Sequence, residues 1–215
     1  MKEVIFVSGI DTDAGKSYVT GYIARRMMNE GGNVITQKFI QTGNDGYSED
    51  IELHRSIMGV EPFDEDRDFT TAPVIFTYPA SAQLAARLDG RDIDLTLVER
   101  ATARLLERYD TVLIEGAGGL MVPVTDDYTT IDYVASHDLP LILVTNGKLG
   151  SINHTLLSLE AIASRGIRLK ALAYNEYFDT DPVIADDTKG YLERYITRHF
   201  PEADMIFVPS IETKG

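Results

Sequence analysis

The stretch Gly9-Ile10-Asp11-Thr12-Asp13-Ala14-Gly15-Lys16-Ser17 follows a short apolar run directly and opens a helical pattern. That is the setting a phosphate-binding loop needs. Backbone N–H groups and the helix N-terminus can hold phosphates there, Lys16 reaches the β and γ oxygens, and Ser17 offers a hydroxyl to Mg2+. Five residues separate Gly9 from Gly15, whereas the usual G-x-x-x-x-G-K-[ST] spacing has four. A glycine-containing turn with a surface lysine is the plainer alternative. The strand before, the helix after and the intact Gly-Lys-Ser favour phosphate. A second signal is Glu115-Gly116-Ala117-Gly118-Gly119 at the end of another apolar run. An acid there lies beside the phosphate loop in a parallel sheet and can hold Mg2+, while glycines let backbone approach a ligand. The third is Lys38, followed by Gln41-Thr42-Gly43. A lone lysine is ordinarily a solvated charge, but one at the end of a strand neighbouring the first reaches the same crevice.

These residues need a scaffold that brings strand ends together. Val4–Val7, Thr111–Ile114 and Leu141–Val144 are near-continuous apolar runs, as in a parallel sheet covered on both faces. Val34–Thr36, Leu169–Ala173 and Met205–Val208 are weaker strands, and helical patterns cover Lys16–Asn29, Leu95–Arg108, Ile152–Ser164 and Pro182–His199. Gly31-Gly32 and Gly166 stand where helices end. This alternation predicts an α/β fold: a doubly wound, mostly parallel sheet with helices on both faces. The acidic, Gly-rich stretch from Gly43 to Pro73 is too long for a bare loop, so a short helix over Asp50–Met58 is expected within it. With no repeat or Pro/Ser-rich linker, residues 1–215 read as a single domain.

Composition removes whole classes of function. Twenty Lys+Arg stand against 34 Asp+Glu in 215 residues, a net charge of −14, which disfavours a nucleic-acid binder but permits a local anion pocket. The chain has no cysteine, hence no disulfide, thiolate nucleophile or Cys-ligated metal. No apolar run approaches the ~20 residues of a membrane span, and the first residues lack a signal-peptide core. A cytoplasmic protein without membrane or nucleic-acid partners is expected.

Taken in order, the Gly9–Ser17 loop, Lys38, Glu115–Gly119 and Lys148-Leu149-Gly150-Ser151-Ile152-Asn153-His154 resemble dethiobiotin synthetase over about the first 210 residues. That family's loop, G-T-D-T-x-V-G-K-T, carries the same five-residue gap, and K-L-G-x-I-N-H is absent from general phosphate-loop ATPases. The resemblance implies a P-loop NTPase-like fold. It also implies closure of the ureido ring of biotin's precursor from 7,8-diaminononanoate and CO2, with ATP as co-substrate and Mg2+ as cofactor.

Residue by residue, the resemblance places Ser17, Asp50 and Glu115 around Mg2+. Asp13, Ala14, Gly15, Lys16, Ser17 and Tyr18, with Glu115, Gly116, Ala117 and Gly118, would hold the phosphates. Asn175, Val208, Pro209 and Ser210 would touch adenine. Lys38 would be catalytic beside Lys16, and Thr42 would lie near the substrate. The family's active site spans a homodimer interface, so Gly150, Ser151 and Asn153 would receive the substrate carboxylate from the partner subunit, helped by the N–H groups of a helix start. A plain N-cap role for Ser151 is the alternative. Two departures bear on the substrate side: Phe39 replaces the proline after the lysine, and Ala82-Gln83 replaces a Pro-His pair.

The other candidates are weaker. His54, His137, His154 and His199 lack zinc-ligand spacing and read as surface or capping residues; Asp50 and His54, at i and i+4, read as a solvated helix face. Asp64–Asp68 reads as a solvated loop, and Tyr174, Tyr177, Tyr191 and Tyr195 as partly buried packing. A nucleotide switch akin to partitioning ATPases is the rival, but it needs a second lysine where Asp11-Thr12-Asp13 stands. A glutamine-dependent amide ligase needs a catalytic cysteine. A relative that has lost activity remains the third alternative.

Overall fold

The computed structural model describes residues 2–210. Ten strands and eight helices run in the order β1 Glu3–Gly9, α1 Lys16–Asn29, β2 Val34–Lys38, β3 Gln41–Thr42, α2 Glu49–Met58, α3 Asp64–Arg67, β4 Ile75–Phe76 and α4 Ala82–Leu88. There follow α5 Leu95–Arg108, β5 Thr111–Gly119, β6 Pro123–Thr125, β7 Tyr128–Thr129 and α6 Thr130–Ser136. The chain then forms β8 Leu141–Asn146, α7 Ser151–Ser164, β9 Leu169–Asn175, α8 Pro182–His199 and β10 Asp204–Val208.

Six strands form the central sheet in the order β10-β9-β8-β1-β5-β2, and every pairing in it is parallel. The period-two alternation splits its side chains into two cores. Phe6, Val112, Ile114, Leu143, Leu172 and Tyr174 face α5–α8 on one side. Ile5, Val7, Leu113, Ile142, Val144 and Ala173 face α1 and α2 on the other, with Val19, Ile23 and Met58 against them. The chain leaves β1 toward β2 on one side and later builds β8, β9 and β10 on the other. The reversal opens a crevice at the carboxyl ends of β1 and β5, where doubly wound sheets bind ligands.

Every strand and long helix read from the pattern is present, the third long helix beginning one residue earlier at Ser151. Three readings change. β2 is not a neighbour of β1, because β5 lies between them. The Asp64–Asp68 run is not a solvated loop: α3 occupies it, Glu65 is buried against Arg108 and Tyr109, and Asp66 pairs with Arg55 through two hydrogen bonds of 2.9 and 2.8 Å. Tyr174 is fully buried, whereas Tyr177 is largely exposed. The short elements β3, β4, β6, β7, α4 and α6 have too little periodicity to show in the sequence.

Two glycines decide how the elements meet. Gly15 caps α1 with φ +85°, and a Cβ there would stand 2.1 Å from the amide nitrogen of Asn175. Gly21, inside α1, faces α2; a Cβ would come within 3.1 Å of Ile57 and 3.3 Å of the His54 backbone. Its bare surface brings α2 close enough to send side chains to the sheet.

Candidate active site

The loop after β1 winds through a 3-10 turn at Thr12–Ala14, capped by Asp11, whose carboxylate accepts from Thr12 N at 2.7 Å. Gly15 then turns the chain into α1, whose first N–H groups have no partner within the helix and face the crevice. Lys16 is buried and its ammonium donates to the carbonyls of Asp11 and Thr12, at 3.0 and 2.9 Å. Burial pushes its pKa down to about 8, against the opposing pull of Glu115.

The face covered by α1 and α2 carries a second group of charges. Lys38 ends β2 in register with Glu115 on β5, and period two places both beside Thr36 and Leu113 on that face. The Lys38 ammonium lies 2.7 Å from Glu115 Oε1, 2.5 Å from Asp50 Oδ2 and 3.2 Å from the Gly116 carbonyl. Ser17 Oγ meets Asp50 Oδ1 at 2.5 Å and Glu115 Oε1 at 2.9 Å. Burial opposes both charges of the central pair. Glu115 and Asp50 nevertheless raise the Lys38 pKa, while Lys38 and the His54 hydrogen bond hold Glu115 well below the usual carboxylate range. Lys38 is therefore not the solvated charge of the plainer alternative. It is buried, and it gets there through β5.

Asp50 arrives from the first turn of α2, which Ser48 caps by accepting from Ile51 N. Ser17, Asp50 and Glu115 thus place hard oxygens at one point. Two carboxylates and a hydroxyl are too few for an all-protein cage but suit Mg2+, which keeps water and phosphate oxygens in its shell. No three His, Cys, Asp or Glu side chains form a metal-binding group among the described residues.

A cleft of about 560 Å³ joins these groups to Thr12, Asp13, Gly15, Tyr18 and, beyond Lys38, to Thr42, Ala117 and Gly118. Asn175 is buried behind the loop, not in the cleft lining, accepting from Tyr177 N and donating toward the Ala14 carbonyl at 3.4 Å. The Tyr18 hydroxyl donates to the Pro209 carbonyl at 2.9 Å, tying the exposed Pro209-Ser210 segment after buried Val208 to α1. The start of α7 lies elsewhere. Gly150 and Ser151 line a separate cleft of about 160 Å³ with Asp11, Asp13, Asn146 and Lys148, and Asn153 is exposed. Gly150, not Ser151, is the cap of α7; Ser151 is its first helical residue and its hydroxyl has no partner among the described residues.

His54 overturns the surface reading. It is fully buried, with Nε2 2.5 Å from Glu115 Oε2 and Nδ1 3.0 Å from Thr36 Oγ1. The available signal was its place in the stripe Ile51, His54, Arg55, Met58, at the i, i+3, i+4, i+7 spacing of a buried face. Phe39 fills the first core, edge-on to Phe6 at 5.4 Å and 4.7 Å from Tyr133. Gln83, where the family has histidine, donates to Asp126 at 2.6 Å.

The chain resembles known proteins along nearly its whole length. A family model described as an AAA domain matches residues 3–208. The ATP-dependent dethiobiotin synthetase BioD 2 of Pasteurella multocida is 50% identical over 201 residues, covering 94% of each chain. The ATP-dependent dethiobiotin synthetase BioD of Chlorobaculum tepidum is 48% identical, over 95% of this chain and 86% of that one. Among solved structures, one described as a plasmid partition protein from Borrelia burgdorferi B31 superposes with a TM-score of 0.57 at 13% identity, over 98% of this chain and 88% of that one. Chloroplast FtsY from Physcomitrella patens gives 0.56 at 15%, over 99% of this chain, which spans 60% of the FtsY chain. At such identities the structural likenesses carry the fold alone. The sequence relatives carry more: the chain belongs to the family of ATP-dependent dethiobiotin synthetases.

Proposed function

We propose that this protein closes the ureido ring of dethiobiotin, using ATP to join 7,8-diaminononanoate and CO2, in one domain over residues 1–215. The observation that carries this reading is the convergence of Lys16, Lys38, Ser17, Asp50 and Glu115 on one cleft. One amine of the substrate takes up CO2 as a carbamate. A carbamate oxygen attacks the γ-phosphorus, ADP leaves, and the resulting carbamic–phosphoric anhydride is attacked by the second amine, expelling phosphate. No protein nucleophile is needed; the chain supplies positions and positive charge.

Lys16 and the N–H groups of the loop hold the β and γ phosphates, with Asp13 through Tyr18 and Glu115 through Gly118 around them. Lys38 faces the phosphoryl group in flight, and Thr42 lies at the substrate end of the cleft. Asn175 and Val208-Pro209-Ser210 form the adenine side. Ser17, Asp50 and Glu115 would hold Mg2+, which when bound supplies charge to the transferring oxygens. The substrate's carboxylate lies at the far end of an apolar chain and needs an anion site remote from the phosphates. In a homodimer the start of α7 would supply it from the partner, through Gly150, Ser151 and Asn153. Leu149 beside them is 91% exposed, an apolar side chain well suited to a subunit contact. A cytoplasmic enzyme fits this reading, and no described helix is long and apolar enough to cross a membrane.

Coupling tests it. Water must be kept from the γ-phosphate until the carbamate is in line, so phosphate release should require both diaminononanoate and bicarbonate. Equal release with ATP and Mg2+ alone would favour the nucleotide switch.

A further inference from the structure

One buried titratable side chain takes no part in the chemistry above. His54 stands on the second turn of α2, one turn after Asp50, and links Glu115 to a string of hydrogen bonds that runs outward to α3. Asp66 of α3 holds the Arg55 guanidinium through both oxygens. Arg55 Nη1 donates to Thr36 Oγ1 at 2.7 Å. A guanidinium only donates, so this bond uses the Thr36 oxygen as acceptor and leaves its proton for another partner. His54 Nδ1, 3.0 Å away, is placed to accept it. The ring proton then belongs on Nε2, 2.5 Å from Glu115 Oε2.

The two oxygens of Glu115 are thereby divided. Oε2 is engaged by His54, while Oε1 is the one turned to Ser17 at 2.9 Å and Lys38 at 2.7 Å. We infer that His54 is a positioning residue: its Nε2–H pins Glu115 Oε2 so that Oε1 alone is presented to the metal ion, with Thr36, Arg55 and Asp66 fixing the ring. The inference rests on the reading of Glu115 as a metal ligand. Outer partners of this kind orient a ligand and set its basicity, and their loss costs about 10–100-fold in metal affinity.

A histidine that only fills space would look similar in outline, so the test separates shape from donor. His54→Phe keeps a ring of comparable size without the N–H; His54→Gln keeps an amide donor that can reach Glu115. Each would be titrated with Mn2+ in the presence of a non-hydrolysable ATP analogue, with free Mn2+ followed by electron paramagnetic resonance and no turnover involved. The expected result is Mn2+ affinity about 10–100-fold weaker in His54→Phe and close to wild type in His54→Gln. Wild-type affinity in His54→Phe, or equal loss in both variants, would overturn the proposal.

Glu115→Gln serves as the parent control. Unchanged Mn2+ affinity there would remove the metal role of Glu115 itself, whereas loss there with normal binding in His54→Phe removes only the role of His54. Should His54→Phe fail to fold, nitrogen-15 spectra of the wild-type imidazole decide. A hydrogen-bonded Nε2–H that shifts in Glu115→Gln is expected, and an Nδ1–H tautomer would overturn the assignment.

Discussion

The cluster at the ends of β2 and β5 and the start of α7 differ in how completely the chain satisfies them. In the first, Lys38, Glu115, Asp50, Ser17 and His54 are matched within 3.0 Å of one another. At the second, Gly150 begins a helix without a side-chain cap, Leu149 and Asn153 are exposed, and the adjoining cleft holds only about 160 Å³. A buried charge is tolerable only where partners are built around it. The strand-end cluster is therefore preorganised within one chain, whereas the α7 start leaves its donors turned outward, as the proposed completion of the site by a second copy requires.

Lys38 should show the largest effect. It is buried between two carboxylates, so Lys38→Ala leaves them without their shared cation, a loss of about 3–5 kcal/mol of stability in metal-free protein. Turnover should fall about 10²–10³-fold, with the KM for ATP little changed, as expected of a group that acts chiefly in the transition state. Steady-state kinetics alongside thermal melts would check both parts. Near-normal turnover would return Lys38 to a bland role. Lys16→Ala should instead weaken nucleotide binding and turnover together.

The α7 start is tested by complementation. Lys16→Ala protein mixed with a Ser151→Ala/Asn153→Ala variant should regain roughly a quarter of wild-type activity, because half the dimers are then hybrids with one of two sites whole. Absence of recovery, with hybrids seen by native mass spectrometry, would mean that each site belongs to one chain and would erase the contrast between the two regions.

The smallest effect concerns pH. Burial holds Lys16 at a pKa of about 8, and a bound phosphate favours its charged form. Nucleotide binding should therefore take up a proton above that pH. Affinity should be flat below about pH 7 and fall by up to about tenfold per unit above pH 8. Calorimetry in buffers of different ionisation enthalpy reads the proton directly. A flat profile from pH 7 to 9.5 would show that Lys16 stays charged, or that it does not meet the phosphates.

Local pattern carried the framework because it depends on neighbours in the chain. The apolar run before Gly9, the helix period after it and the intact Gly-Lys-Ser are properties of a few consecutive residues, and so are the bounds of α1, α5 and α8. Glu115 and Lys38 could be nominated as strand-end residues for the same reason. That they share a crevice could be read as well, but not that they form a buried ion pair. The pair depends on β5 lying between β1 and β2 and on the register that sets Lys38 opposite Glu115. His54 escaped for a related cause. Along the chain it is one polar residue four places after Asp50, and only the close seating of α2 on Gly21 and the sheet turns that face inward. Residue type and spacing thus determined which chemistry this chain could perform and on what kind of scaffold. Tertiary structure decided which charges are buried together, because the cost of burying a charge is relieved by partners from distant strands and helices that no local pattern encodes.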